Sequence, residues 1–527
     1  MSNRDRIILW FIGLVGLSTA LTCLDGRTPS WAGWLSYLVV AGVCAGAGWL
    51  AWRTLSHLQP PRWLAPAALM ALALRLGLAV AFAHLLPLYG SGRDHQLAGY
   101  FFPDAHDRDR IAWEFGRSDR PLWQPSAREL RADQYGGLLF WSAAGYRFLS
   151  PDAHRPLLVV LQAATASSLM VLFTWGFVSV ALGGEAARLA AWLVALYPEA
   201  ILLGASQMRE PFTGLGLALL LYGYAAARRA ELRGALAPLA VGGVLSVIIS
   251  PPSALVGVAI LAGAWLWERR TDRRVPAWAV LVILLAAEAA LVLTIRAWAG
   301  AGVWASSPLG VLWAWFTRTA GYETYVLEQG SGVVQLLFDQ TPAWAHVPLA
   351  TAYGLVRPFL PAALFETGAP LAQTVEILRA AGWFALLPFL LVTPLAAQRA
   401  GGWRSLPTYL AVLVWVTAIA ASFRGGADDW DNVRYRAAFL VIQAAVAGWV
   451  WMHTRRTASP WLARTAILLV AAISVVGQWY AGRYLGTPAL SLTGTLITAG
   501  AAVLILGGAF VTADLRRRRL TSPLPKV

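Results

Sequence analysis

Long apolar runs separated by short polar ones repeat along this chain from end to end. A helix that crosses a bilayer needs about 20 residues of this kind. On that measure the sequence predicts spans over 7–24, 31–52, 64–87, 156–182, 186–204, 208–227, 235–249, 252–267, 276–297, 378–397, 405–422, 437–453, 463–481 and 489–512. The pieces 235–249 and 252–267 are short, and Ser250-Pro251-Pro252-Ser253 between them reads as a tight turn. Three stretches break the rhythm: 88–155, 298–377 and 423–436. The first mixes acids, bases and aromatics, and reads as a folded loop with short helices. In the second, "AWAHVPLATAYGLVRPFLPAALF" is too interrupted by proline for a straight span and reads as a re-entrant or interfacial helix. No solenoid repeat or low-complexity tract is found. The expected fold is an all-α polytopic membrane protein, a bundle of about 12–14 transmembrane helices.

Composition supports this. Hydrophobic residues make up 58% of the 527 and charged ones 13%, where soluble proteins carry roughly 25% charged residues. The formal charge of +15 could suggest nucleic acid. The basic residues, however, sit in short clusters between apolar runs, and all but Lys526 are arginine. With the N-terminus inside, the inner loops hold Arg53 and Arg62, Arg228, Arg229 and Arg233, the Arg269–Arg274 cluster, Arg399 and Arg404, and Arg455 and Arg456. The tail adds Arg516 to Arg519, and the turns at 205–207 and 250–253 carry no basic residue. That is the positive-inside pattern. It predicts both termini in the cytoplasm, the three long stretches outside, and a lipid bilayer rather than nucleic acid as partner. The 27 tryptophans suit aromatic belts at the two interfaces. Cys23 and Cys44 give neither metal spacing nor a disulfide framework. The first span follows Arg4 and Arg6 as a signal sequence would, but it lacks a small-x-small cleavage site and is expected to be retained.

Against this oily background, "YFFPDAHDRDRIAWEF" (100–115) gathers Asp104, Asp107, Asp109 and Glu114 with Arg108 and Arg110. Pro103 suits a helix start, where its missing N–H does no harm. If 104–115 is helical, Asp104, Asp107 and Ile111 share one face. Burial raises a carboxylate's proton affinity and a nearby arginine lowers it, so such an acid can be tuned as a general base. The pattern also suits a solvated face with acids at the positive end of the helix dipole. Arg434 and Arg436 lie outside, against the positive-inside trend, ready for a phosphate or for pairing with Asp428, Asp429 or Asp431. Arg209 and Glu210 read as a pair at a helix start. Arg75 falls in the middle of span 64–87, where an unpaired charge is costly, and Glu288 in span 276–297 is a conceivable partner. Asp104, His106 and Asp107 could offer ligands to a divalent cation, but no pair of histidines at helical spacing occurs. There is no phosphate-binding Walker loop or dinucleotide fingerprint.

Three segments carry a resemblance. Pro103-Asp104-Ala105 is followed eight residues on by an alanine–aromatic pair, Ala112-Trp113. The hairpin "RLAAWLVALYPEAILLGASQMREPFTGLGLALLLYGYA" spans 188–225, and "NVRYRAAFLVIQAAVAGWV" spans 432–450. In order and sidedness these resemble the GT-C glycosyltransferases, and more narrowly the bacterial protein mannosyltransferase-like and RgtA/B/C/D-like enzymes (glycosyltransferase family 39-like). Arg108 stands where that family often has tyrosine, and the first two spans are additional. The resemblance implies two N-terminal transmembrane helices in 1–63, a GT-C-like core in 64–453, and a C-terminal hairpin with a basic cytoplasmic tail in 454–527. It implies an enzyme of the bacterial cytoplasmic membrane that moves a sugar from a polyprenyl-phosphate donor to a lipid, glycan or protein hydroxyl outside. No cofactor is implied beyond the divalent cation that some relatives use. Asp104 would be the base, with Asp107 as its rival. Arg434, Arg436 and Arg357 would meet the donor phosphate, and Arg75, Arg209, Glu210 and Tyr435 would support the site. Two other functions compete. An O-antigen-type polymerase or ligase would rely on arginine and histidine rather than an early acid. A lipid or polysaccharide flippase or transporter would carry deep charges and repeated halves.

Overall fold

The computed structural model describes residues 3–521 apart from 27, 230, 269–287, 290, 297–306, 308, 312, 319, 321–338, 340, 367 and 426–430. Among the described residues all regular structure is helical. Helices α1 (Asn3–Leu24), α2 (Trp31–Leu55) and α3 (Leu64–Tyr89) come first. The stretch 88–155 then folds into two helices, α4 (Pro103–Gly116) and α5 (Gly137–Leu149), with short turns at Asp94–Leu97 and Ala127–Ala132. The middle of the chain gives α6 (Leu157–Ala181), α7 (Gly184–Leu196), α8 (Pro198–Gly204), α9 (Glu210–Arg228), α10 (Leu232–Ile249) and α11 (Pro251–Glu268). Further along come α12 (Ala343–Val356), α13 (Pro370–Gly401), α14 (Leu406–Gly425), α15 (Asp431–Ala437), α16 (Leu440–Arg456), α17 (Trp461–Leu485) and α18 (Leu492–Thr521).

Two predominantly apolar helices identify the solvent. Helix α6 is buried along nearly its whole length, packed against α2, α3, α7 and α9. Helix α17 is also mainly apolar, yet none of its residues is fully buried; it packs on α18 and α13 and leaves apolar side chains such as Ile467 and Val470 exposed. An apolar helix left bare suits lipid, where its backbone bonds close within the helix and its side chains need no water. Seven described helices are long and apolar enough to cross a bilayer, or eight if the bent pair α7–α8 counts as one span. The chain is an integral membrane protein. Fewer helices pass that test than the sequence suggests. Segments 235–249 and 252–267 form helices too short for it, and 276–297 falls largely outside the described residues.

The predicted span 186–204 is the instructive case. It breaks at Tyr197 and bends by 52°. Pro198 forces the residue before it out of the helical region, and Tyr197 is extended at φ −62°, ψ 121°. The break strands carbonyls at the end of α7, because Pro198 has no N–H to offer Val194. Arg75 fills the gap. Its Nη2 donates to Val194 O at 3.0 Å, and its Nη1 to Ala195 O at 3.1 Å and Ala71 O at 2.8 Å. Its Nε donates to Ser167 Oγ at 2.7 Å. The expected partner Glu288 is not involved and is itself exposed. The intramembrane charge caps a broken helix, where a cation also meets the negative end of the helix dipole. Arg75→Leu is expected to leave the carbonyls of Val194 and Ala195 without their donor, at a total cost of about 1–3 kcal/mol. A thermal unfolding midpoint in detergent equal to that of the parent would refute the role.

A second buried charge network lies nearby. Helix α13 begins at Pro370 rather than at 378, because its first turns carry Glu376 and Arg379. Arg379 Nε lies 2.6 Å from Glu199 Oε2 on α8, and its Nη1 lies 2.8 Å from Glu376 Oε1. Arg379 and Glu199 are both almost completely enclosed, at 1% side-chain exposure. This bridge ties the short helix after the break to the long helix α13.

Candidate active site

The site is assembled from four places in the chain. Helix α4 opens with Phe102 extended (φ −99°, ψ 130°), Pro103 at its first turn and Asp104 next. Its inner face, including Ala105, Ile111, Ala112 and Phe115, is buried. Phe101, Phe102 and Ala105 pack with Phe82 of α3, Leu203 of α8 and Ala437 of α15. This packing carries the start of α4 across to α15. Asp104 Oδ2 there accepts a hydrogen bond from Arg434 Nη1 at 2.7 Å. The two residues are 330 positions apart. The Asp104 side chain remains 48% exposed while Arg434 is 9% exposed.

Behind this pair, acids and arginines alternate. Arg434 Nε lies 4.0 Å from Glu210 Oε1 in the first turn of α9. Arg209, one residue earlier, lies 3.7 Å from Asp133 Oδ1 and over the ring of Tyr135 at 4.9 Å. Arg108 is fully buried. Its Nη1 donates to Gln207 O at 2.8 Å, and its Nε is 3.9 Å from the same Asp133 oxygen. Asp133 is held in turn by the backbone N–H of Leu139 at 3.0 Å. Three carboxylates thus interleave with three guanidiniums. Burial pushes the Asp104 carboxyl up, but Arg434, with Arg108 and Arg209 behind it, outweighs burial and holds it below the usual carboxylate range. A partly exposed carboxylate that is ionised and has cations beside it can accept a proton, and those cations can face an anion.

The other expected residues are placed apart. Asp107 points away from Arg434. It is 60% exposed, with Arg110 at 3.7 Å and His106 at 3.8 Å. Helical spacing alone suggests one face for Asp104, Asp107 and Ile111, but Ile111 is buried and the two acids go to different partners. Arg436 turns inward. Its guanidinium stacks on Trp383 at 3.7 Å and donates to the carbonyls of Gly354, Leu355 and Arg357. Arg357 lies over the Tyr353 ring at 4.7 Å. Tyr435 sits between Arg434 at 5.3 Å and Arg424 at 5.4 Å. The rival partners Asp428 and Asp429 lie outside the described residues, as does the Asp431 side chain. Among the described residues, no three His, Cys, Asp or Glu side chains gather as a metal site. Asp104 goes to Arg434 and His106 to Asp107, so the cation ligands suggested by the sequence do not converge.

The sequence passed over two acids that organise the loop. Asp109 is completely buried and accepts hydrogen bonds from the hydroxyls of Tyr100 and Tyr146, with His154 Nε2 at 2.7 Å. Asp133 joins Arg108 to Arg209. The signals were faint: Asp109 sat among other charges, and Asp133 only preceded the Gly136-Gly137 turn. A cavity of about 230 Å³ borders this region, lined in part by Asp25, His84, Tyr100 and Gln207, and Asp104 is not part of its wall.

No family model matches the chain, and no curated protein matches it. Solved structures give a distant likeness. One is the archaeal oligosaccharyltransferase AglB from Archaeoglobus fulgidus in complex with an inhibitory peptide and a dolichol-phosphate. It is 15% identical, with 87% of this chain and 56% of that chain covered and a TM-score of 0.37. Another is the Archaeoglobus fulgidus oligosaccharyltransferase tethered to an acceptor peptide containing the NVT sequon. It is 16% identical, with 85% of this chain and 55% of that chain covered and a TM-score of 0.39. The chain thus spans little more than half the length of the structures it matches, and a likeness at this level says nothing of activity.

Proposed function

We propose that the protein is a membrane glycosyltransferase that moves a sugar from a polyprenyl-phosphate donor to a hydroxyl outside the cytoplasmic membrane, with the termini inside. The observation that carries the reading is the 2.7 Å contact between Asp104 and Arg434. One residue is suited by its place to be a base and the other to be a phosphate cation, and they meet from opposite ends of the chain. In this reaction the acceptor hydroxyl attacks the anomeric carbon and passes its proton to Asp104. The bond from that carbon to the phosphate oxygen breaks, and the lipid phosphate leaves with the bonding electrons. Arg434 meets the charge that develops on the phosphate, which its planar, permanently charged fork suits. Glu210, 4.0 Å from Arg434, helps to set its position, and Arg209 ties the start of α9 to Asp133.

The test is to incubate purified protein with a panel of polyprenyl-phosphate sugars and measure released lipid phosphate. Release from at least one donor, dependent on an added acceptor, is expected. No release from any donor by well-folded protein would remove the reading. Within it, Asp107→Asn is expected to leave transfer within about twofold of the parent, since exposed ion pairs like those of Asp107 contribute about 0–1 kcal/mol. A large loss would move the base from Asp104 to Asp107.

A further inference from the structure

We propose that the cavity beside α4 is a binding site for a single neutral sugar ring, separate from Asp104. Its walls come from the turn between α1 and α2, the end of α3, the stretch 98–101, the start of α6 and the loop 205–207. One side is thus closed by the N-terminal hairpin, the two spans that are additional to the GT-C pattern. Arg155 holds that turn in place, with its Nη2 donating to Ser30 Oγ at 3.0 Å and its Nε 3.7 Å from Asp25 Oδ2. Gly26, Ala83 and His84 are exposed and form the mouth, whereas Phe82, Phe101 and Gln207 are buried. The volume of about 230 Å³ is several times the roughly 30 Å³ share of one water. It is also below the roughly 300 Å³ at which sites for drug-sized ligands begin. A single small ring fits that size; an oligosaccharide or a lipid chain does not.

The chemistry of the wall selects a neutral, hydroxylated ligand. Gln207 is 1% exposed. Its Nε2 donates to Ser142 Oγ at 2.6 Å, and that hydroxyl gives its own proton to Leu138 O at 2.8 Å. This fixes which way the amide faces and leaves Oε1, which finds no donor among the described residues. A buried acceptor without a donor is costly, and a ligand hydroxyl would satisfy it. No arginine or lysine lines the cavity among the described residues, so a phosphate or carboxylate meets no guanidinium or ammonium there. Asp25 has Arg155 beside it and accepts from the Tyr37 hydroxyl at 3.3 Å, so an amine gains little. Phe82 and Phe101, stacked at 5.1 Å, offer apolar surface to the C–H face of a sugar. Mostly apolar walls with a few placed polar groups are the usual make-up of such a site. The pocket is also joined to α4. The Gln207 carbonyl accepts from Arg108, and the Tyr100 hydroxyl on the wall donates to Asp109. A sugar bound to Gln207 would steady the loop that runs into Arg209 and Glu210. That consequence rests on the transferase reading, whereas the pocket itself does not.

The test is equilibrium binding of radiolabelled methyl α-mannoside, methyl α-glucoside and methyl β-galactoside to the full chain in lipid nanodiscs. Empty nanodiscs give the background, and no donor is present. Saturable binding of at least one glycoside is expected. It should weaken about tenfold in Gln207→Leu, the factor of a single hydrogen bond. It should vanish in Ala83→Trp, where an indole at an exposed position would fill the mouth. It should survive Asp104→Asn, which separates the pocket from the candidate active site. Saturable binding of none of the glycosides would overturn the proposal, leaving a cavity that holds only water. Competition by glycerol or by a hexose phosphate as strong as by unlabelled glycoside would overturn it too, since the pocket would then not select a neutral ring. So would binding unchanged in Gln207→Leu or in Ala83→Trp, or binding lost in Asp104→Asn. None of these results depends on release of lipid phosphate, so the transferase reading stands or falls separately.

Discussion

Asp104→Asn is expected to lower sugar transfer at least about 100-fold, within the range of about 10²–10⁴ that a positioned general base supplies. Asparagine keeps the shape of the side chain and can still accept the 2.7 Å bond from Arg434. It cannot take up the proton of the acceptor, so packing should survive and rate should not. The assay is transfer in vesicles at matched protein levels, and parental activity would exclude Asp104 as the base. The same contact makes a signed pH prediction. The base works only when deprotonated. Since Arg434, Arg108 and Arg209 together hold the Asp104 carboxyl below its ordinary value, activity should persist as pH falls and fail only beneath the usual carboxylate range, about 4. In Arg434→Gln the burial effect loses its strongest opponent. The acid limb of kcat/KM should then move to higher pH, on top of a loss of about 10²–10³ from the missing phosphate partner. An unmoved limb in that variant would mean that Asp104 and Arg434 do not act together.

The largest effect on stability is expected from Arg379→Ala. This change leaves Glu199 buried, and Glu376 half-buried, without their cation, and breaking such a buried pair costs about 3–5 kcal/mol. The loss should appear as aggregation or a much lower unfolding temperature in detergent, even though residue 379 lies outside the Asp104 site. The double variant Arg379→Leu with Glu199→Leu should recover much of the loss, because removing both charges of a buried pair is often close to neutral. Failure of the double variant to recover any stability would point to a role for Arg379 beyond pairing with Glu199.

Much of the fold was legible in the sequence because lipid enforces simple rules. A run of apolar residues long enough to cross a bilayer has few alternatives to helix, so α2, α3, α6, α14 and α17 appear close to their predicted limits. The start of α4 at Pro103 followed from the chemistry of proline and the acids behind it. The break at Tyr197-Pro198 follows from a proline inside the predicted span 186–204, but the guanidinium that caps it has no local signal. Arg75 lies over a hundred residues from the carbonyls it serves at the end of α7, and nothing local couples them. The overshoot at 235–267 has the opposite cause: those segments are apolar enough but too short.

In the candidate site, the sequence proposed the individual residues and the tertiary structure sorted them. Asp104 and Asp107 are equivalent by composition and by helical spacing. Only the approach of α15 to the start of α4 gives Asp104 a largely buried cation, Arg434, and leaves Asp107 to an exposed pair with Arg110. Arg434 and Arg436 likewise look alike in the string. They sit two residues apart on α15 and so face different surroundings, one meeting Asp104 and the other lying on Trp383. What the sequence determined by itself was the solvent, the helical class and the list of charges that needed a reason to be there. The pairing of those charges was decided by tertiary structure, because an ion pair depends on distance in space, and a hydropathy pattern records only distance along the chain.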